Sequence, residues 1–335
     1  MSESSLVVVA EENVVIQSGD CSVTILPSLG GKIASIRVNG RELLQAPLAP
    51  MEPRTTTSPF DESDASGWDE CVPSVAECTV PTGDGPAQVP DHGDLWRVAW
   101  EPIAVNTADA TLRAECFSLP LALERTIQLT ALGLMTTTGR PTTARDGKAE
   151  GWQLSLSYKI TNTGTTPVPW SWSAHPLFAA EQGDRIVLPN SIHSLRLEGS
   201  GGARLGKMGD IVNWPVAELA SGGQTDLSVA EPPESGIGDK LFAGPLSAEE
   251  NWCVLERPSA GIRIRVRFDP AATPYLGLWI CHGGWPDQPG PKQTCVALEP
   301  ATAPVDSLAQ TGPWSRVLNP GESFSWPMNV DLELI

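Results

Sequence analysis

Basic residues are scarce in this chain. It has 22 Lys and Arg against 40 Asp and Glu over 335 residues, a formal net charge of −18. No basic stripe is available to neutralise phosphates, which argues against nucleic acid and against anionic membrane surfaces as partners. Metal-binding and disulfide patterns are missing too. The seven cysteines (Cys21, Cys71, Cys78, Cys116, Cys253, Cys281, Cys295) are odd in number and form no CxxC pair, so neither a zinc site nor a disulfide framework is expected. Long apolar runs are absent, and none approaches the roughly 20 residues that span a bilayer. The N-terminal stretch MSESSLVVVAEENVVIQ has only a short apolar patch, no basic region before it, and Glu11 and Glu12 after it, so it does not read as a signal peptide. A cytoplasmic protein with reduced thiols is expected. No P-loop, strand-linked GxGxxG or nucleophile elbow occurs, so no cofactor is expected. Helical periodicity is nearly absent; EGWQL and PVAELASGG are the nearest approaches, and both are short.

Strand patterns are what remain. Trp152, Leu154, Leu156, Tyr158 and Ile160 alternate with Gln153, Ser155, Ser157, Lys159 and Thr161, a period of two that marks a half-buried strand. In GIRIRVRF, Ile262, Ile264, Val266 and Phe268 alternate with Arg263, Arg265 and Arg267. The arginine face is read as a solvated face that discourages edge pairing rather than as a phosphate site. The segment CSVTILPSLGGKIASIRVNGRELL reads as strand, Gly-Gly turn, strand, Asn39-Gly40 turn, strand. Frequent punctuation by 31 Gly and 31 Pro fits many short strands. Residues 46–67, 79–91 and 199–240 read as loops, and long loops in a compact β protein are often functional. No linker separates two domains, so residues 1–335 are expected to form one domain, an all-β fold built as a large antiparallel β-sandwich.

Three segments carry candidate chemistry. GWDECVPSV and PDHGDLWRVAW gather Asp69, Glu70, Asp91, His92, Asp94, Trp96 and Arg97 within thirty residues. WSWSAHPLFAA places His175, among only four histidines, in an apolar aromatic run, with Gly183-Asp184 following. In such surroundings an imidazole needs a partner or a task. CVALEPATAPVDSL puts Glu299 at the end of an apolar run, where desolvation raises a carboxyl pKa toward a general base's range. Twelve Trp outnumber two Tyr and six Phe. Core packing accounts for most of them, while Trp279 and Trp285 are equally candidates for stacking on a sugar face.

Taken in order, these segments resemble the aldose 1-epimerase (galactose mutarotase) family, as do LGGKIASIRVNGRELL near the start and PYLGLWICHGGWP near the end. The resemblance runs thinly along almost the whole chain and points to a divergent branch. It implies the galactose mutarotase-like supersandwich and interconversion of the α and β anomers of an aldose without a cofactor. It gives His175 the role of general acid at the ring oxygen and Glu299 that of general base at the anomeric hydroxyl. His92 would hold sugar oxygens. Asp239, in GIGDKLFAG, would bind sugar hydroxyls, on a looser local match. The family's sugar-contacting arginine has Arg54 as its only counterpart in the 46–67 loop. Asp69 is read first as orienting that loop and second as a hydroxyl ligand, and His282 as a weak candidate for the cleft lining. The partner is then a small sugar, with a neutral aldose favoured by the acidic balance; a homodimer is left open.

Other readings of the same residues stand beside this one. His175 as a satisfied core histidine, His92 as a turn residue and Glu299 as one half of an ion pair are the structural alternatives. A non-catalytic sugar-binding protein on the same fold would keep affinity without a rate effect. A glycoside hydrolase or lyase would pair Glu299 with Asp69 or Asp239, the carboxyls roughly 5–9.5 Å apart.

Overall fold

The computed structural model describes residues 13–83, 85–133 and 150–335. Two antiparallel sheets make the body of the molecule. The first has eleven strands, running from Val14–Ser18 at one edge through Cys21–Leu26, Lys32–Val38, Trp68–Cys71, Ser173–Ala179, Thr294–Ala301, Tyr275–His282, Ile237–Ala243 and Ser194–Ser200 to Ile211–Asn213, with Arg41–Glu42 paired beside Lys32–Val38. The second has eight: Arg185–Val187, Trp252–Arg257, Ile262–Phe268, Ser323–Leu334, Gly151–Asn162, Leu121–Leu132, Asp109–Glu115 and Glu101–Val105. Among the described residues the only helical turns are short 3-10 segments, and no helix is long and apolar enough to cross a membrane.

Period-two side chains join the sheets into a sandwich. Leu241, Leu278 and Leu298 from the first sheet share one buried apolar cluster with Leu156, Ile264 and Val330 from the second. Two fully buried charged groups, Arg125 and Glu70, interrupt that core as a hydrogen-bonded pair. Arg125 donates to the Glu70 carboxylate at 2.9 Å, with Tyr158 Oη donating at 3.0 Å and Trp172 Nε1 at 2.8 Å. A buried charge is tolerable when it is so surrounded. Trp172 and Trp170 both pack on Trp326, with ring centroids 5.1 and 5.7 Å away, so the tryptophans before His175 belong to the core.

Several expectations are met and three are corrected. Strands span Gly151–Asn162 and Ile262–Phe268, and the Asn39-Gly40 turn joins Lys32–Val38 to Arg41–Glu42. The Ile262–Phe268 strand is interior, between Trp252–Arg257 and Ser323–Leu334, so its arginines guard no edge. They form a ladder of ion pairs, Arg263 with Glu256 at 2.9 Å and Arg267 with Asp331 at 2.8 Å, which answers their charge without a phosphate. Part of the 79–91 stretch is a hairpin, Cys78–Thr82 with Gly85–Val89, a two-stranded sheet off the main pair where Pro81 and Pro86 break no long ladder. Within 199–240, Val216–Glu218 and Gln224–Asp226 form a second small hairpin, so PVAELASGG is strand and turn rather than helix.

Candidate active site

The outer face of the first sheet carries a pocket of about 210 Å³, whose wall includes His175, His92, Lys240, Asp306, Phe60 and Trp279. Sheet register explains how separate strands reach it. On the Tyr275–His282 strand, Leu278 points to the core opposite Leu298, while Trp279 is opposite Lys240 and Gly277 opposite Glu299. Ser173 pairs with Ala301 and Leu177 with Ala297, so the same register sets His175 across from Glu299, although 124 positions separate them in sequence. Space at Gly277 is tight. A Cβ there would stand 3.1 Å from Glu299 Oε2 and from a Phe242 ring carbon.

His175 is 6 % exposed and its Nδ1 has no hydrogen-bond partner. Burial pushes its pKa well below the ordinary histidine value, and His92, Lys240 and Lys32 push the same way, so the imidazole is neutral at pH 7. His92 enters from the turn after the small hairpin. Its φ of 58° and the 70° of Gly93 bend the chain sharply there, and a Cβ on Gly93 would stand 2.2 Å from the Val72 carbonyl oxygen. His92 Nδ1 lies 2.7 Å from Asp91 Oδ2, and the imidazole stacks on Phe60 with centroids 3.6 Å apart. That pairing, with the charges of His92 and Arg97, holds the Asp91 carboxyl below its usual range although burial works upward.

Glu299 lies beneath the wall rather than in it. It is fully buried; Lys240 Nζ and Ser173 Oγ donate to its Oε2, and Oε1 has no partner. Lys240 covers it and also faces Asp306 at 3.8 Å. Burial alone would lower the lysine pKa, but the two carboxylates outweigh it and raise it. The strand does not end at Glu299 but runs on through Ala301.

Four other expected site residues are used elsewhere. Asp239 is one position before Lys240, so it faces the sandwich core, where Arg204 Nε donates to it at 2.9 Å and Ser200 Oγ at 2.7 Å. His282 lies on that same side, buried with both ring nitrogens unpartnered and its pKa lowered to about 4 by burial and by Arg204. Asp69 is held by Lys32 at 2.6 Å, with Arg54 at 3.8 Å. Arg54 itself pairs with Asp64, donates to the Trp96 carbonyl oxygen at 2.6 Å and lies over the Trp96 ring. Lys32, paired with Asp64, and Arg54, facing Asp69, staple the acidic 46–67 loop to the sheet, and Phe60 on that loop reaches the pocket. Trp279 does line the pocket, oriented by a 2.9 Å hydrogen bond from Nε1 to Gln293.

Sequence reasoning missed Lys240, Asp306 and Phe60. Asp306 stands seven residues past Glu299 in the same CVALEPATAPVDSL segment. Its backbone is clamped: Val75 and Ala76 N–H donate to its carbonyl at 2.9 and 2.8 Å, and its own N–H donates to Glu198 at 3.2 Å.

No protein-family model matches this chain, and no curated protein sequence matches it either. Solved structures do. The Slr1438 protein from Synechocystis sp. PCC 6803 superposes with a TM-score of 0.68 at 18% identity, covering 100% of both chains. A galactose mutarotase-like protein from Lactobacillus casei ATCC 334 gives 0.64 at 16% identity over 96% of this chain and 100% of its own. The fold is galactose mutarotase-like. The GalM/aldose epimerase homologue from C. elegans gives 0.63 at 12% identity over 97% of this chain and 100% of its own. In the mutarotase-like sandwich of the present chain, the concave pocket sits on the outer face of the larger sheet.

Proposed function

We propose that the chain is a cofactor-independent aldose 1-epimerase acting on a monosaccharide-sized aldose. The observation that carries this reading is one pocket in which a neutral, buried imidazole, His175, meets acid and ammonium groups beside aromatic rings. Opening a hemiacetal ring needs one proton removed and another delivered at nearly the same moment, and each positioned group contributes ~10²–10⁴-fold. His175 supplies one group; the other is a carboxyl of the Glu299–Lys240–Asp306 cluster. Phe60, Trp279 and Trp285 offer apolar faces to the C–H side of a sugar ring. The resemblance of the chain's motifs and the mutarotase-like fold favour this chemistry over glycoside hydrolysis. So does the placement of Asp239, which faces the core, and of Asp69, which is paired to Lys32.

Polarimetry on freshly dissolved α-D-glucose and α-D-galactose tests the reading. The expected result is faster decay to the same end point, lost in His175→Asn. Unchanged decay across a panel of aldoses, with sugar binding retained, would replace it by the non-catalytic sugar-binding protein, a reading that the covering of Glu299 by Lys240 also suits.

A further inference from the structure

We propose that the substrate is the reducing end of a neutral disaccharide or longer glycan, whose second sugar is held in a groove beside the pocket of His175. This inference rests on the aldose 1-epimerase reading above and extends it: the monosaccharide-sized unit that reacts fills the pocket, and its neighbour lies outside. Size is the first argument. At about 210 Å³ the pocket is smaller than the roughly 300–1,000 Å³ of ordinary small-molecule sites. A second cavity of about 470 Å³ adjoins it, and Phe60 and Asp91 line both. Asp91 marks the crossing. Its side chain is half exposed, and its Oδ2 faces His92 at 2.7 Å on the pocket side.

Construction is the second argument. One bank of the groove is residues 56–61 of the 46–67 loop, and the other is the end of the Gly85–Val89 strand with the turn after it. Arg97, buried between them, ties the banks together. Its Nε donates to the Ser58 carbonyl at 2.9 Å and its Nη1 to the Asp91 carbonyl at 2.7 Å, so the two banks are fixed relative to each other.

The lining is the third. A neutral sugar ring needs hydrogen-bond partners along its edge and an apolar surface against its C–H face. Thr56 and Thr57 bring hydroxyls to the groove. Thr79 Oγ1 donates to Gln88 Oε1 at 2.8 Å, which leaves the amide N–H groups of Gln88 for a ligand. Phe117 supplies the apolar surface. It is 42% exposed, and Asp94 Oδ2 fixes its backbone by accepting from the N–H groups of Phe117 and Ser118 at 3.0 and 2.8 Å. Asp61, Glu77 and Asp91 outnumber Arg97 in the groove, which disfavours an anionic second unit. The bond to that unit must leave the first sugar through an oxygen other than O1, because C1 has to remain a hemiacetal to open. Non-reducing sugars are thereby excluded.

The test is polarimetric mutarotation by the wild type, Phe117→Ala and Gln88→Ala, with circular dichroism as the check of folding. Glucose is compared with freshly dissolved lactose, maltose, cellobiose and melibiose, all of which end in it, and galactose with 1,4-linked galactobiose. At least one disaccharide should exceed its free hexose in kcat/KM by about tenfold, mainly through a lower KM, as expected for one stacked face and one or two hydrogen bonds. Phe117→Ala should cut that ratio by about three- to tenfold and Gln88→Ala by about threefold. Hexose turnover with no disaccharide above its hexose, or a ratio unchanged in both variants, would overturn the second subsite and leave the epimerase reading standing. No acceleration of any sugar would overturn the epimerase reading, and titration calorimetry of the same pairs would then decide the groove. Tighter disaccharide binding that weakens in Phe117→Ala supports it, and equal binding of disaccharide and hexose overturns it.

Discussion

At the residue scale, Asp306 makes a prediction about stability that is independent of activity. Its folded pKa, about 6, lies above the unfolded 3.8. A raised carboxyl pKa means that the folded state binds the proton more tightly, so the group costs stability as pH rises from about 4 to 6, and the full cost applies above that. Two units at ~1.4 kcal/mol each set an upper figure of about 3 kcal/mol. Asp306→Asn should therefore stabilise the fold at pH 7 by about 1–3 kcal/mol. Urea unfolding at pH 4 and pH 7 checks it: the gain should appear at pH 7 and nearly vanish at pH 4. A variant less stable than wild type at pH 7 would mean that Asp306 is chiefly a counter-ion for Lys240. The residue scale also shows where sequence reading reached its limit. His175, His92 and Trp279 were legible because unusual residues sit in unusual surroundings, and all three line the pocket. Which of Asp239 and Lys240 faces the pocket was not legible, because every residue of Ile237–Ala243 is buried. With both faces of a strand covered, alternation no longer says which side is the pocket.

At the scale of elements, the 46–67 loop decides how the pocket is closed. Its composition reads as a loop, but nothing in the sequence shows that its charges are consumed internally. Lys32, fully buried on the Lys32–Val38 strand, binds Asp69 at 2.6 Å and Asp64 at 3.2 Å and also donates to the Ser66 carbonyl. Removing one partner of such a set leaves buried carboxylates uncompensated and typically costs about 3–5 kcal/mol. Lys32→Met should lose that much in urea unfolding. It should also raise KM for the sugar, since Phe60 depends on the loop for its place against His92 and His175. Arg265→Gln, in the partly exposed ladder with Glu333, is the control and should change stability by less than about 1 kcal/mol. Equal effects from the two substitutions would argue against a stapled loop. The sandwich strands themselves were readable because apolar alternation survives in a sheet with one wet face. The Cys78–Thr82 and Gly85–Val89 hairpin was hidden by its Pro and Gly content, which resembles loop composition.

At the scale of the molecule, net charge and pocket chemistry bear on the same question of substrate. A chain with a formal charge of −18 surrounds itself with a negative potential that repels anions and is indifferent to neutral sugars. Inside the pocket, Lys240 is already matched by Glu299 and Asp306, so no spare cation on that wall draws a phosphate inward. Of the nearby arginines, Arg54 is committed to Asp64 and the Trp96 carbonyl, and Arg97 to the Ser58 and Asp91 carbonyls. Screening at 0.15 M salt acts beyond about 8 Å, and salt therefore separates the two substrate classes. For a neutral aldose, kcat/KM should change less than about twofold between 20 and 500 mM NaCl. For a hexose 6-phosphate, any turnover should be slower and should rise with salt as repulsion is screened. The comparison needs only polarimetry at matched pH. A 6-phosphate turned over faster than the free sugar, with a rate that falls as salt is added, would mean that local attraction defeats the global field, and the neutral-aldose assignment would have to give way.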